Sequence, residues 1–323
     1  MKNKYIFVTV LLVVLLAAVA AVSALCVRWQ AHGEERGEEA SLTVVTSFYP
    51  MYIAAENVIG DCDSIRLENL SEPQTGCLHD YQLTTEDMAL LSTADVFVVN
   101  GGGLESFLTE VAEQDSDLTI LDACEGITLL DDNAHAWMNV ENYMRQVQNI
   151  CDGLIAALPK ADGGDASDTA ESPAAAADTA EESDIAAQLQ QNTAAYLAQL
   201  EELAAECDNL AADLAGQPVV LFHEAYAYLA EELGLTVVGE MDLDEERQVS
   251  AGEVAGILSV IEADHVPVIF AEELYAKDMG DRMEEETDVT VLYLDPLTRG
   301  DYSADSYVNG MRGNLAIIAE AYD

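Results

Sequence analysis

The sequence has few basic residues. Lysine and arginine together number 12, against 61 aspartates and glutamates, and the formal net charge at pH 7 is -49. A surface of this sign repels nucleic-acid phosphates and anionic lipid head groups, so the composition argues against a nucleic-acid-binding protein. It attracts cations without specificity, and most of these carboxylates are expected simply to keep the surface solvated.

Two metal-site motifs are also missing. No C-x-x-C pair is present, which argues against a zinc ribbon or a thioredoxin-like redox site, and no His-Glu-x-x-His motif is present either. The six cysteines are Cys26, Cys62, Cys77, Cys124, Cys151 and Cys207. Cys77 lies two residues from His79 and stays open as a metal ligand, although a small loop side chain is the simpler interpretation.

The N-terminus predicts export. Lys2 and Lys4 precede an apolar run from Tyr5 to Val27, which is long for a signal peptide. Residues 1–27 are therefore interpreted as a signal peptide or a membrane anchor, and residues 28–40 as a tether. Cleavage, an uncleaved anchor and lipid modification of Cys26 remain alternatives. Each of them places the remaining residues outside the cytoplasm, held at the membrane or in the periplasm.

The rest of the chain alternates between strand and helix patterns, which predicts an α/β fold. Half of the residues are hydrophobic, and the apolar run at 95–100 is typical of a buried strand in a parallel sheet. The predicted strands lie at 42–46, 65–70, 95–100, 118–121, 218–222, 236–239, 267–271 and 289–294.

Two strand-rich regions predict two lobes with mostly parallel sheets. The first covers residues 41–159 and the second residues 216–323. Residues 160–183 contain no large apolar side chain and are interpreted as a disordered acidic insertion. Residues 184–215 show helical spacing of their apolar side chains and predict one long rigid helix that joins the lobes.

Three histidines and one aspartate share a position relative to the predicted strands. His79, His135 and His223 each follow a strand, and Asp295 follows the strand that ends at Leu294. Ligands of open α/β sheets bind beyond the carboxyl ends of the strands, so a cleft between the lobes could gather the four side chains. Three imidazoles and a carboxylate suit a d-block cation, Zn²⁺ above all. His32, in the tether, and His265, just before a strand, are interpreted as incidental.

The sequence resembles a known family through several short motifs that occur in order. They are TSFYP at 46–50, LHDY at 78–81 with TTED at 84–87, ADVFVVNG at 94–101 with Leu104 and Glu105, HAW at 135–137, LFHEAY at 221–226 and LDPL at 294–297. These motifs are similar to those of the metal-binding lipoproteins of ABC importers, the cluster A-I substrate-binding proteins. The resemblance covers about residues 42–323, apart from the acidic insertion.

This resemblance implies a role and a ligand set. It implies capture of a divalent metal, Zn²⁺ rather than Mn²⁺, by a monomer that delivers it to an ABC importer permease and performs no chemistry. It implies His79, His135 and His223 as ligands, and histidine at 223 favours zinc over manganese. The fourth ligand is expected to be Asp295, with water as the alternative, since the glutamate of some relatives is replaced by Leu78.

The chain departs from the family pattern in three places. Asn133-Ala134 stands where the family usually has Asp-Pro, a histidine-rich loop is absent, and the lipidation motif before Cys26 is poor. Two other functions with the same site stay open. One is a zinc hydrolase in which Glu224 would act as base, although adjacent side chains seldom converge on one water. The other is a surface adhesin or metal buffer.

Overall fold

A computed structural model describes residues 41–71, 81–108, 111, 118–159, 173–243 and 249–322. Residues 1–40, which include the predicted export segment and tether, lie outside the described residues. So do His79 and Cys77 and the first part of the acidic insertion. None of the described helices is both long enough and apolar enough to cross a bilayer.

Strands and helices alternate along the chain. The strands are β1 (Leu42–Thr46), β2 (Ile65–Asn69), β3 (Val96–Val99), β4 (Thr119–Asp122), β5 (Pro218–Leu221), β6 (Thr236–Glu240), β7 (Val268–Ala271) and β8 (Thr290–Tyr293). The helices are α1 (Tyr49–Ile59), α2 (Thr85–Leu91), α3 (Val140–Ala157), α4 (Pro173–Leu214), α5 (Tyr226–Glu232), α6 (Ala251–Asp264), α7 (Glu273–Glu286) and α8 (Ser306–Tyr322). Each predicted strand is present within one residue of its expected bounds.

The strands form two sheets of the same design. One sheet has the order β2-β1-β3-β4 and the other the order β6-β5-β7-β8, and the pairings between these described strands are all parallel. Every residue of the inner strands β3 and β7 is buried, whereas the outermost strands β4 and β6 are largely accessible. Burial on both faces explains why the inner strands are continuous apolar runs. The predicted fold of two parallel-sheet α/β lobes is confirmed.

The long helix α4 contacts both lobes. It packs against α1 and α3 of the first lobe and against α5 and α8 of the second. Its 42 residues give a length of about 63 Å at ~1.5 Å per residue. The helix begins at Pro173, earlier than the predicted start at 184, so the end of the expected insertion is helical. Proline is favoured in a first turn and the alanines after it are strong helix formers, which explains the earlier start.

The two lobes also meet directly on one side of the molecule. Tyr143 of α3 stacks on Tyr307 of α8 with ring centroids 3.6 Å apart. Nearby, Asn69 Nδ2 donates a hydrogen bond to the hydroxyl of Tyr302 (3.1 Å), and Asn57 Nδ2 donates to the carbonyl of Ala304 (2.9 Å). The segment before α8 is therefore held against the first lobe.

The described cysteines show no disulfide. Cys62, Cys124, Cys151 and Cys207 are buried free thiols. Burial, together with the charge of Asp122, raises the pKa of Cys124 to about 12. All four are core side chains in this fold, and the raised pKa keeps the Cys124 thiol protonated, a form that is a weak nucleophile and a weak metal ligand.

Candidate metal centre

His135 is fully buried at the start of a short 3-10 helix, Ala136–Met138. Its backbone nitrogen and its ring Nδ1 lie 2.9 Å and 2.8 Å from the same oxygen, Oδ1 of Asn133. An amide oxygen can only accept, so Nδ1 of His135 carries a proton. The neutral ring then has its lone pair on Nε2, which is the form that binds a metal ion.

The turn before His135 has an unusual backbone. Asp131 and Asp132 both have positive φ angles, 46° and 63°, in the left-handed region that aspartate tolerates better than most residues. The turn closes with a hydrogen bond of 2.7 Å from Asn133 N to the carbonyl of Leu130. It places the Asn133 side chain in contact with His135, two residues later.

A buried polar network supports the same segment from the sheet side. Asn100, directly after β3, donates from Nδ2 to the carbonyl of Ala134 (2.9 Å) and accepts from Gln146 Nε2 (2.8 Å). Its backbone nitrogen donates to Oε1 of Glu105 (2.7 Å), which also accepts from Ser47 Oγ (2.8 Å). Burial raises the pKa of Glu105, and these hydrogen bonds oppose that shift. The sequence showed Glu105 only as part of a motif; in the structure it holds the turn after β3, from which Asn100 binds Ala134, the residue before His135.

His223 follows β5 after a single residue and is almost fully buried. Its Nδ1 accepts a hydrogen bond of 3.0 Å from the backbone nitrogen of Ala225. The neutral ring of His223 must then carry its proton on Nε2, the opposite arrangement to His135. Binding of a metal ion through Nε2 requires this ring to turn or to release the Ala225 hydrogen bond.

The two imidazoles come from different lobes and lie side by side. Their ring centroids are 5.3 Å apart with an interplanar angle of 85°. Two imidazoles bound to one Zn²⁺ at ~2.0–2.1 Å with a tetrahedral angle would have centroids roughly 5 Å apart. The spacing of His135 and His223 therefore fits two ligands of one ion.

Asp295 lies just beyond β8, next to the His135 segment. Its backbone nitrogen donates to Asn314 Oδ1, and its Oδ1 accepts from Leu297 N, each at 2.8 Å. Trp137 Nε1 donates to the carbonyl of Pro296 (2.9 Å), which joins the two motifs. Asp295 is exposed as a whole residue, but its carboxyl is partly desolvated, which raises the pKa of Asp295. The hydrogen bond from Leu297 and the charge of Arg299 act in the opposite direction and lower it.

The structure does not assemble the complete predicted ligand set. His135 and His223 are adjacent, but within the described ranges no three His, Cys, Asp or Glu side chains lie close enough to hold one metal ion. His79 lies outside those ranges. The next helix, α2, begins with a capping box of Thr84 and Asp87 (Thr84 N to Asp87 Oδ2, 2.7 Å), and Tyr81 OH donates to the same Asp87 oxygen (3.0 Å).

Two further carboxylates lie near the carboxyl ends of the second sheet. Glu272 follows β7 directly and is buried. Its Oε1 forms an ion pair with Arg299 Nη1 (2.6 Å). This ion pair occupies the Glu272 carboxylate. In the sequence, only the position of Glu272 directly after a strand marks it as a candidate site residue. The Oε1 of Glu224 lies 3.5 Å from His135 Nδ1, the nitrogen that does not face a metal in this tautomer. That position is unsuited to a base acting on a metal-bound water.

The sequence of residues 44–164 and 165–321 matches a family described as "ZnuA: Zinc-uptake complex component A periplasmic". The chain belongs to this family. Its members are metal-binding substrate-binding proteins of ABC transporters and not enzymes. The expected family is thereby confirmed, together with an extracytoplasmic binding function for a divalent metal and a permease as partner.

Individual relatives differ in the metal that their names give. The chain is 26% identical over 309 residues to the manganese-binding lipoprotein MntA of Halalkalibacterium halodurans, covering 92% of this chain and 93% of that protein. It is 23% identical over 292 residues to the high-affinity zinc uptake protein ZnuA of Bacillus subtilis, covering 84% and 83%. Among solved structures, the Pseudomonas aeruginosa substrate-binding protein FpvC with Ni²⁺ has a TM-score of 0.69 at 24% identity, covering 87% and 96%.

Proposed function

We propose that the protein captures Zn²⁺ outside the cytoplasm and delivers it to the permease of an ABC importer. His79, His135, His223 and Asp295 are the proposed ligands. The protein acts as a monomer that its N-terminal segment holds at the membrane.

The observation that carries this proposal is the buried pair of imidazoles between the lobes. His135 and His223 are spaced as two ligands of one tetrahedral ion would be, and His135 already presents Nε2 in its unprotonated form. Nitrogen donors suit zinc better than the harder Mn²⁺, which favours carboxylate and water oxygens. The names of the zinc-uptake relatives agree with zinc, while the manganese-binding and nickel-bound relatives make the metal a point for experiment.

Metal competition tests the choice of zinc. The full chain, purified in mild detergent, is dialysed against equal concentrations of Zn²⁺ and Mn²⁺ and its metal content is measured. We expect about one zinc per chain and little manganese, because imidazole sites follow the Irving–Williams order. Retention of manganese in preference to zinc would contradict the proposal.

Alanine variants test the ligand set. His79→Ala, His135→Ala and His223→Ala should each weaken zinc binding at least about 100-fold, since each removes one of four bonds to the ion. Asp295→Ala should have a smaller effect because water can take its place. His265→Ala is the matched control, since His265 is the exposed C-cap of α6 just before the amino end of β7, and should bind zinc as the wild type does. Chelator competition gives the affinities, and equal values for wild type and His223→Ala would refute the site.

A further inference from the structure

Asn133 connects a proposed ligand to the opposite lobe. We propose that it is a positioning residue which orients His135 and, through its amide nitrogen, ties the first lobe to the second so that the bound metal is released slowly. The inference rests on the proposed function, because it needs His135 to be a metal ligand.

The orientation of the Asn133 amide follows from its neighbours. His135 N is a donor, so the Asn133 atom 2.9 Å away from it must be the oxygen. The other end of the amide lies 2.8 Å from the backbone carbonyl of Glu224, an acceptor, so that end must be the nitrogen. Both assignments agree, and the amide can satisfy His135 and Glu224 together in only one orientation.

The contact couples the two histidines mechanically. Asn133 lies two residues before His135 in the first lobe, and Glu224 is the residue after His223 in the second. The main chain of Asn133 is held as well, since Tyr228 OH of α5 donates to its carbonyl (2.6 Å) and accepts from Leu130 N (3.1 Å). Separation of the lobes at this point would break the Asn133–Glu224 and Tyr228–Asn133 hydrogen bonds and would draw the two imidazoles apart.

An amide and a carboxylate at position 133 should behave differently. A carboxylate could still accept from His135 N and Nδ1, but it could not donate to the Glu224 carbonyl. It would also bring a negative charge close to Glu224, whose Oε1 is 3.5 Å from His135 Nδ1. The Asn-for-Asp departure noted in the sequence therefore supplies a cross-lobe bond that an aspartate would lack.

The experiment compares Asn133→Asp with Asn209→Asp in the full chain. Asn209 is exposed on α4, so its exchange adds the same charge away from the site. Each protein is loaded with Co²⁺, whose absorption spectrum reports the ligand set, and release into excess chelator is followed by stopped flow. We expect an unchanged spectrum and release about tenfold faster for Asn133→Asp alone, the effect of one lost hydrogen bond.

A second variant keeps the test decisive if Asn133→Asp folds poorly. Tyr228→Phe removes the two hydrogen bonds of the Tyr228 hydroxyl, to Asn133 and from Leu130, without touching His135 or its hydrogen bonds, and should also speed release with an unchanged spectrum. Release from either variant at the rate of Asn209→Asp, or more slowly, overturns this inference while the proposed function stands. A wild type that binds neither Co²⁺ nor Zn²⁺ overturns the proposed function and this inference with it.

Discussion

The two buried imidazoles carry their protons on different nitrogens. Asn133 requires a proton on Nδ1 of His135, whereas the Ala225 N–H requires an unprotonated Nδ1 on His223. His135 is therefore already prepared for a metal ion, and His223 is not. A metal ion that binds Nε2 of both rings must change the hydrogen bonding of His223.

Ring ¹⁵N chemical shifts should show this difference. In metal-free protein we expect the Nδ1–H tautomer for His135 and the Nε2–H tautomer for His223. Zinc should leave His135 as the Nδ1–H form and convert His223 to it. His265 is exposed and serves as the control, because its shifts should not respond to zinc. Identical tautomers for His135 and His223 in metal-free protein would contradict the described hydrogen bonds.

At the scale of elements, the start of α3 is joined to the end of α5 by a buried carboxylate. Both oxygens of Glu232 lie 3.1 Å from the backbone nitrogen of Val140, the first residue of α3. A negative charge at a helix N-terminus is favourable. The pKa of Glu232 is nevertheless raised to about 7. Burial is the main cause, the charges of Glu141 on α3 and Asp208 on α4 act in the same direction, and the Val140 hydrogen bond opposes the shift.

This carboxyl should make stability depend on pH. Its pKa is higher in the folded protein than in the unfolded chain, where it is near 4.5. The folded state therefore holds the proton more tightly, and its contribution to stability is lost as the pH rises from about 4.5 through about 7. Above that range the buried charge costs on the order of 1–3 kcal/mol.

Glu232→Gln removes the charge and keeps an oxygen that can accept from Val140. The free energy of unfolding of this variant, relative to wild type, should rise between pH 5 and pH 8 by about 1–3 kcal/mol, as measured by urea unfolding. Glu231→Gln, at the exposed neighbouring position, should show no such rise. The same difference from wild type at both pH values for Glu232→Gln would contradict the assignment.

At the scale of the whole molecule, a helix, a pair of stacked rings and several hydrogen bonds join the two lobes. Helix α4 packs on both, Tyr143 stacks on Tyr307, and the segment containing Tyr302 and Ala304 is bonded to the first lobe. Asn133 and Tyr228 add contacts beside the metal centre. Wide hinge opening would break most of these together, so metal exchange should involve local rearrangement instead.

Small-angle X-ray scattering can measure this directly. We expect the radius of gyration of the full chain to change by less than about 1 Å between zinc-loaded and chelator-treated samples, because the backbone of pre-organised partners moves by no more than about 1 Å on binding. His223→Ala, treated in the same way, provides the control for effects of the chelator itself. A change of several ångströms in the wild type alone would show a hinge motion that the described contacts do not allow.

Much of the fold followed from local patterns. The apolar run at 95–100 predicted a buried strand because parallel strands covered on both faces contain no alternation, and β3 is buried throughout. The capping boxes of Thr84 with Asp87 and of Ser250 with Glu253 start α2 and α6, and each is a local pattern because it forms within four residues. The early start of α4 differs from the prediction because residues 173–183 lack large apolar side chains to pack on a core, yet their alanines favour a helix.

The sequence by itself thus determined the class of fold, the family and the positions at which metal ligands were expected, because each of these depends on neighbouring residues and ordered motifs. Only the tertiary structure decided that His135 and His223 meet, since 87 residues lie between them in the chain and they belong to lobes built on two separate sheets. It alone also decided the partners of Asn133 and Glu232. A hydrogen bond across two lobes depends on how the lobes pack, and that packing leaves no local pattern in the sequence.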